Sequence, residues 1–140
     1  MYNPTREQAR DFFHAAWAHY REGAALTELE RVVVEIIAMH PEYHRLLEAR
    51  DRGIDRDYTP DQGETNPFLH LGLHLSIAEQ LATDRPQGIR AEFDRLAKRH
   101  GAQHDALHDL LECLGETMWQ AQRTELPPDT NAYLECVRRR

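Results

Sequence analysis

Cysteine is scarce in this sequence: 140 residues hold two, Cys113 and Cys136, and neither belongs to a Cys-x-x-Cys pair. Two isolated cysteines do not make a disulfide framework. Both fall in helical-looking sequence among apolar neighbours, where free cysteine behaves as a small hydrophobe. The expectation is two reduced, buried thiols. Cys113 follows His108 and Glu112 closely, but adjacent helical positions point apart, so no Cys/His nucleophile pair is implied. Long apolar runs are lacking as well, and nothing is long enough to span a bilayer. The opening MYNPTREQAR is polar and charged, unlike a signal peptide. Positive charge is in deficit: 17 Lys and Arg against 24 Asp and Glu give a net charge of -7. That balance argues against nucleic acid or an anionic membrane as a partner. The basic run Arg138 to Arg140 is too short for an interaction tail and reads as solvated. The signatures HExxH, GxSxG, GxGxxG and the P-loop are all missing. Together these absences leave a cytoplasmic protein in a cell that keeps its thiols reduced.

What is present is ordinary globular composition, with 41% hydrophobic and 29% charged residues. A chain of this length makes one domain, residues 1–140, with a proper core. Punctuation divides it into helices. Thr5 with Gln8 and Thr27 with Glu30 fit capping boxes. The first helix, ending near Arg21 before Gly23, carries Phe12, Phe13, Ala16, Trp17 and Tyr20. The second carries Leu29, Val32, Val33, Ile36, Ile37 and Met39. A short segment follows from Pro41 to about Arg50, with His40 placed to cap it. Residues 51–65 form one long loop, rich in Asp, Gly and Pro. Asn66-Pro67 opens a helix running to about Thr83 that is apolar on nearly every side, the mark of a buried helix. Asp84, Pro86 and Gly88 break it. A helix from Ile89 to His100 ends at Gly101. A longer one from Gln103 to Arg123 turns Leu107, Leu110, Leu111, Leu114 and Met118 inward. Pro127-Pro128 stops that one, and a last helix starts near Asp129. The predicted fold is all-α: four main helices in a bundle with one or two short extra helices.

The chain has nine histidines, and four pairs lie four residues apart: His40/His44, His70/His74, His100/His104 and His104/His108. Random placement would give about 0.6 such pairs, and four is the spacing that stacks side chains on one helix face. It is also the spacing at which two imidazoles of one helix grip one ion. Carboxylates extend the stripes: Glu112 follows His108 by four and Glu79 follows His74 by five. Mixed imidazole and carboxylate donors suit zinc, iron, manganese or nickel. Two histidines on a buried face need partners, because an unpaired buried polar group costs roughly 1 to 3 kcal/mol. A shared metal would satisfy both His70 and His74. The candidate ligands are therefore His40, His44, His70, His74, His104, His108, Glu79 and Glu112. His14 and His19 stand five apart with no carboxylate on their line, and they read as structural. His100 reads as a helix C-terminal residue complementing the dipole.

The segments NPTREQARDFF, QGETNPFLHLGLHLSIAEQ, ECLGETMWQAQR and AYLECVRRR resemble a small, uncharacterised bacterial family known as domain of unknown function 1841. The resemblance covers essentially the whole chain. It implies a stand-alone cytoplasmic protein and carries no activity with it. In design, His70-x3-His74, His74-x4-Glu79 and His108-x3-Glu112 resemble hemerythrin-like and DinB-like metal-binding bundles. The order of the motifs differs from hemerythrin, and His74 would serve twice.

The sequence thus predicts a metal-binding helical bundle acting on a small molecule that it does not name. An ion with an open position would activate a bound water, with Glu79 or Glu112 as the base, in a metal-dependent hydrolase or transferase. An ion without one is structural or sensory. The competing expectation is a metal-free interaction module, such as a homodimer, whose histidines are structural or respond to pH.

Overall fold

The computed structural model describes residues 6–49 and 66–140, the side chain of residue 6 excepted. Among these residues every regular element is helical, in agreement with the all-α expectation. The chain divides into two compact units, Met1–Gly72 and Leu73–Arg140. The predicted capping box at Thr5 and the long loop 51–65 lie outside the described residues.

The first unit holds α1 (Arg6–Arg21), α2 (Glu28–Ala38), a 3-10 turn (Pro41–Tyr43), α3 (His44–Glu48) and the first turns of α4 (Pro67–Thr83). Helix α1 gives way to Gly23, whose φ of +74° lies in the left-handed region that glycine adopts without penalty. Helix α2 starts on the predicted capping box: the Thr27 hydroxyl accepts from the Glu30 N–H, and the Glu30 carboxylate accepts from the Thr27 N–H. The buried face of α1 is Arg10, Phe13, His14 and Trp17, spaced i, i+3, i+4, i+7. Tyr20, expected inward, is 52% exposed. On α2 the same spacing buries Glu30, Val33, Val34 and Ile37, together with Ile36, while Leu29 and Met39 sit off that face and are exposed. Helix α1 packs on α2 and on α3. The His14 Nδ1–H donates to the Leu47 carbonyl at 3.1 Å, tying α1 to α3. Phe68 of α4 stacks obliquely on the His14 ring and lies under the Arg10 guanidinium, 4.7 Å from its centroid.

Helix α4 begins as predicted. The Asn66 side chain accepts from the N–H groups of Phe68 and Leu69, and Pro67 occupies the first helical position. The second unit contains the rest of α4, α5 (Ile89–His100), α6 (Gln103–Thr124) and α7 (Thr130–Arg138). Asp84, itself at φ +52°, sends its carboxylate to the N–H groups of Gly88 and Arg90 and so starts α5 from outside the helix. Gly101 ends α5 in the left-handed region, its N–H returning to the Ala97 carbonyl. Asp129 caps α7 through the Ala132 N–H.

One core serves this unit: Ile77, Ile89, Phe93, Leu96, Ala106, Leu110, Cys113, Tyr133, Leu134 and Val137. The buried face of α6 is Ala106, Leu110, Cys113 and Thr117, which is rotated from the predicted leucine stripe. Met118 is 38% exposed in consequence. Cys113 and Cys136 form a disulfide with Cα atoms 5.7 Å apart. This corrects the expectation of two reduced thiols. Their separation of 23 residues spans the end of α6 and most of α7, and only the packing of those helices brings them together. The described residues hold five helices of 11 residues or more, α1, α2, α4, α5 and α6, against the four main helices expected. Among the described residues no helix is long and apolar enough to cross a membrane.

Candidate metal centre

In the first unit the site begins at the C-terminus of α2. The last carbonyls of a helix have no partner within it. Here histidine side chains add to the tightened backbone bonds of the last turn: the His40 Nδ1–H donates to the Ile36 carbonyl at 2.7 Å, and the His44 Nε2–H donates to the Ile37 carbonyl at 2.8 Å. A carbonyl can only accept, so the proton on His40 is fixed at Nδ1 and the lone pair at Nε2 points away from the helix end. That tautomer is the one a metal ligand needs, with its second nitrogen anchored by backbone. The His40 Nε2 lies 3.0 Å from the Nε2 of His70. Two nitrogens of a tetrahedral zinc site, each about 2.0 Å from the ion, stand about 3.3 Å apart, so the pair is close to ligand spacing. His40 is buried, and Tyr43 stacks on its ring with centroids 5.6 Å apart. Burial raises the Tyr43 phenol above its ordinary range, keeping the neutral form beside the imidazoles.

In the second unit the histidines of α4 and α6 meet. The ring of His74 lies 5.3 Å from that of His108 and 6.1 Å from that of His104. His104 and His108, one turn apart on α6, are 4.2 Å apart by ring centroids. His74 is 2% exposed. His70 and His74 belong to the one unbroken helix α4, four residues apart, and so project from the same side.

The remaining candidates are placed elsewhere. His44 engages its Nε2 with backbone and stacks on Trp17 at 4.5 Å between centroids. Glu112 is exposed and pairs with Arg140 at 2.8 Å. Glu79 is exposed too, on the wall of a polar cleft with Ser76, Gln80, Thr83 and Arg85. The two outlying histidines found carboxylates that helix periodicity could not reveal. His19 pairs with Glu30 at 2.5 Å, and His100 pairs with Asp109 at 2.6 Å from the last turn of α5. The first partnership uses the same carboxylate as the α2 capping box. The Thr27 N–H and the His19 side chain together hold the Glu30 carboxyl below the usual carboxylate range.

These features define a protein that is all-helical among the described residues, with histidines clustered in each unit. The chain belongs to the family described as a domain of unknown function, DUF1841, whose model matches residues 5–139. No curated protein and no solved structure matches it.

Proposed function

We propose that the chain binds a transition-metal ion through its clustered histidines, with zinc the best fit and His40, His70, His74 and His108 the candidate ligands. The observation that carries this is the His40–His70 pair: two imidazole nitrogens at 3.0 Å, one of them with its tautomer fixed by the Ile36 carbonyl. Support comes from the His74–His108 ring pair in the second unit. The reading treats residues 1–140 as one domain. A tetrahedral ion whose ligands are all imidazoles has no open position, which is the pattern of a structural site. A hydrolase or transferase needs an open position and a base within reach. Glu112 is engaged with Arg140 and Glu79 lies on an exposed face, so neither supports that chemistry. The favoured function is thus a metal-stabilised or metal-sensing helical domain.

Elemental analysis of untagged protein tests it, with a His74→Ala/His108→Ala variant alongside. The expected result is about one equivalent of metal in the native chain, lost in the variant. Native protein that carries no metal and takes up none on reconstitution overturns the reading, and leaves a metal-free helical module with structural histidines.

A further inference from the structure

The two halves of the disulfide are not equivalent. Cys113 is 0% exposed, set on α6 between Leu110 and Thr117 in the core of the second unit. Cys136 is half-buried and lines a cleft of about 460 Å³ formed by the C-terminal part of α6, the α6–α7 connection and α7. Thr117 and Gln120 form part of the α6 wall, and Arg139 lies on the same side of α7 as Cys136, three residues on. The cleft's charged groups are Glu116, Asp129 and Arg139. A thiol entering from solvent meets Cys136 first, while the sulfur of Cys113 is reached only through the core. Thiol–disulfide exchange depends on which sulfur is open to attack.

We propose that Cys136 is an exchange site for a low-molecular-weight thiol of the glutathione type, with Cys113 as the buried resolving thiol. The thiolate of the small molecule bonds to the Cys136 sulfur. The Cys113–Cys136 bond breaks, and its electron pair leaves on Cys113, which takes a proton from water. The mixed disulfide then resolves in one of two ways. The Cys113 thiolate attacks Cys136, restores the native bond and expels the small thiol. Alternatively, a second small thiol attacks the first, releasing the reduced protein and an oxidised small-molecule disulfide. Each step exchanges one sulfur–sulfur bond for another, and the small thiol is the only reductant. The cleft can hold the adduct, and its Arg139 guanidinium offers a partner for a carboxylate of the incoming thiol.

Peptide mapping by mass spectrometry tests this on the intact, air-oxidised chain in a glutathione buffer, after acid quenching. Glutathione is expected on Cys136 alone. In the single variants, oxidised glutathione should modify Cys136 in Cys113→Ala roughly tenfold or more faster than it modifies Cys113 in Cys136→Ala. In denaturant the two rates should converge. An adduct on Cys113, or equal rates in the folded variants, overturns the proposal. So does reduction of the native chain with no adduct on either sulfur, or an oxidised chain that retains two free thiols. Should a single variant fail to fold, mapping of the native chain decides alone.

Discussion

His40 shows how one side chain serves two purposes. Its Nδ1–H finishes the hydrogen bonding of α2, and that bond leaves the Nε2 lone pair facing His70. His44 does only the first task. The two residues therefore separate stability from metal binding. His44→Ala should cost about 1 to 2 kcal/mol in urea denaturation, from the lost hydrogen bond and ring packing, and should leave the metal content unchanged. His70→Ala should remove the metal. Loss of metal in His44→Ala would count against the assignment. Tyr133 is a second residue with a definite signature. Its hydroxyl donates to the Gln80 side chain at 2.6 Å, and burial holds the phenol well above its ordinary range. A folded-state value that is raised means the folded protein keeps a proton that the unfolded chain releases. The contribution is complete below about pH 10 and declines as pH rises beyond it. Urea midpoints should fall above about pH 10 in the native protein, and Tyr133→Phe should flatten that fall. At neutral pH the variant should lose about 1 kcal/mol.

At the scale of the element, α2 is the clearest case of local sequence setting local structure. Thr27 and Glu30 satisfy each other's backbone N–H groups, and Glu30 also receives His19 from α1. The cap is thus also a contact between helices. Thr27→Ala should lower stability by about 1 kcal/mol. The Glu30 carboxyl titrates below its ordinary value, so its stabilisation is complete above that value. It disappears as pH falls through the lowered one. An acid titration of stability should therefore be shallower in His19→Ala, which removes one of the two groups holding that carboxylate, than in the native chain. An identical slope in both would show that His19 does not hold the carboxylate.

At the scale of the whole molecule, one covalent cross-link ties α6 to α7, and the proposed metal would add a second. A disulfide closing a loop of 23 residues restricts the unfolded chain by about 3 kcal/mol in the chain-entropy model. Reduction should lower the unfolding free energy by about that amount. Chelation should lower the melting temperature by a separate increment, because an ion bound to the folded state alone adds to stability. The two decrements should be additive when both treatments are applied, as for independent sites. Calorimetry on native, reduced, chelated and doubly treated protein checks this.

The sequence by itself determined the helices. Their starts and stops follow from Thr27, Asn66-Pro67, Gly101 and Asp129, which act within a few residues of themselves. It also singled out His70, His74 and His108, because spacing along one helix is a local property. The tertiary structure alone decided which way each helix turns and which residues from distant segments meet. Tyr20 and Met118 belong to apolar stripes yet reach solvent, because the neighbouring helices pack against an adjacent face. His19 meets Glu30 and His100 meets Asp109 across separate elements, and periodicity carries no trace of such pairs. The same holds for Cys113 and Cys136. Each looks like a small hydrophobe on its own helix, and only the packing of α6 against α7 brings their Cα atoms to 5.7 Å, where a bond can form.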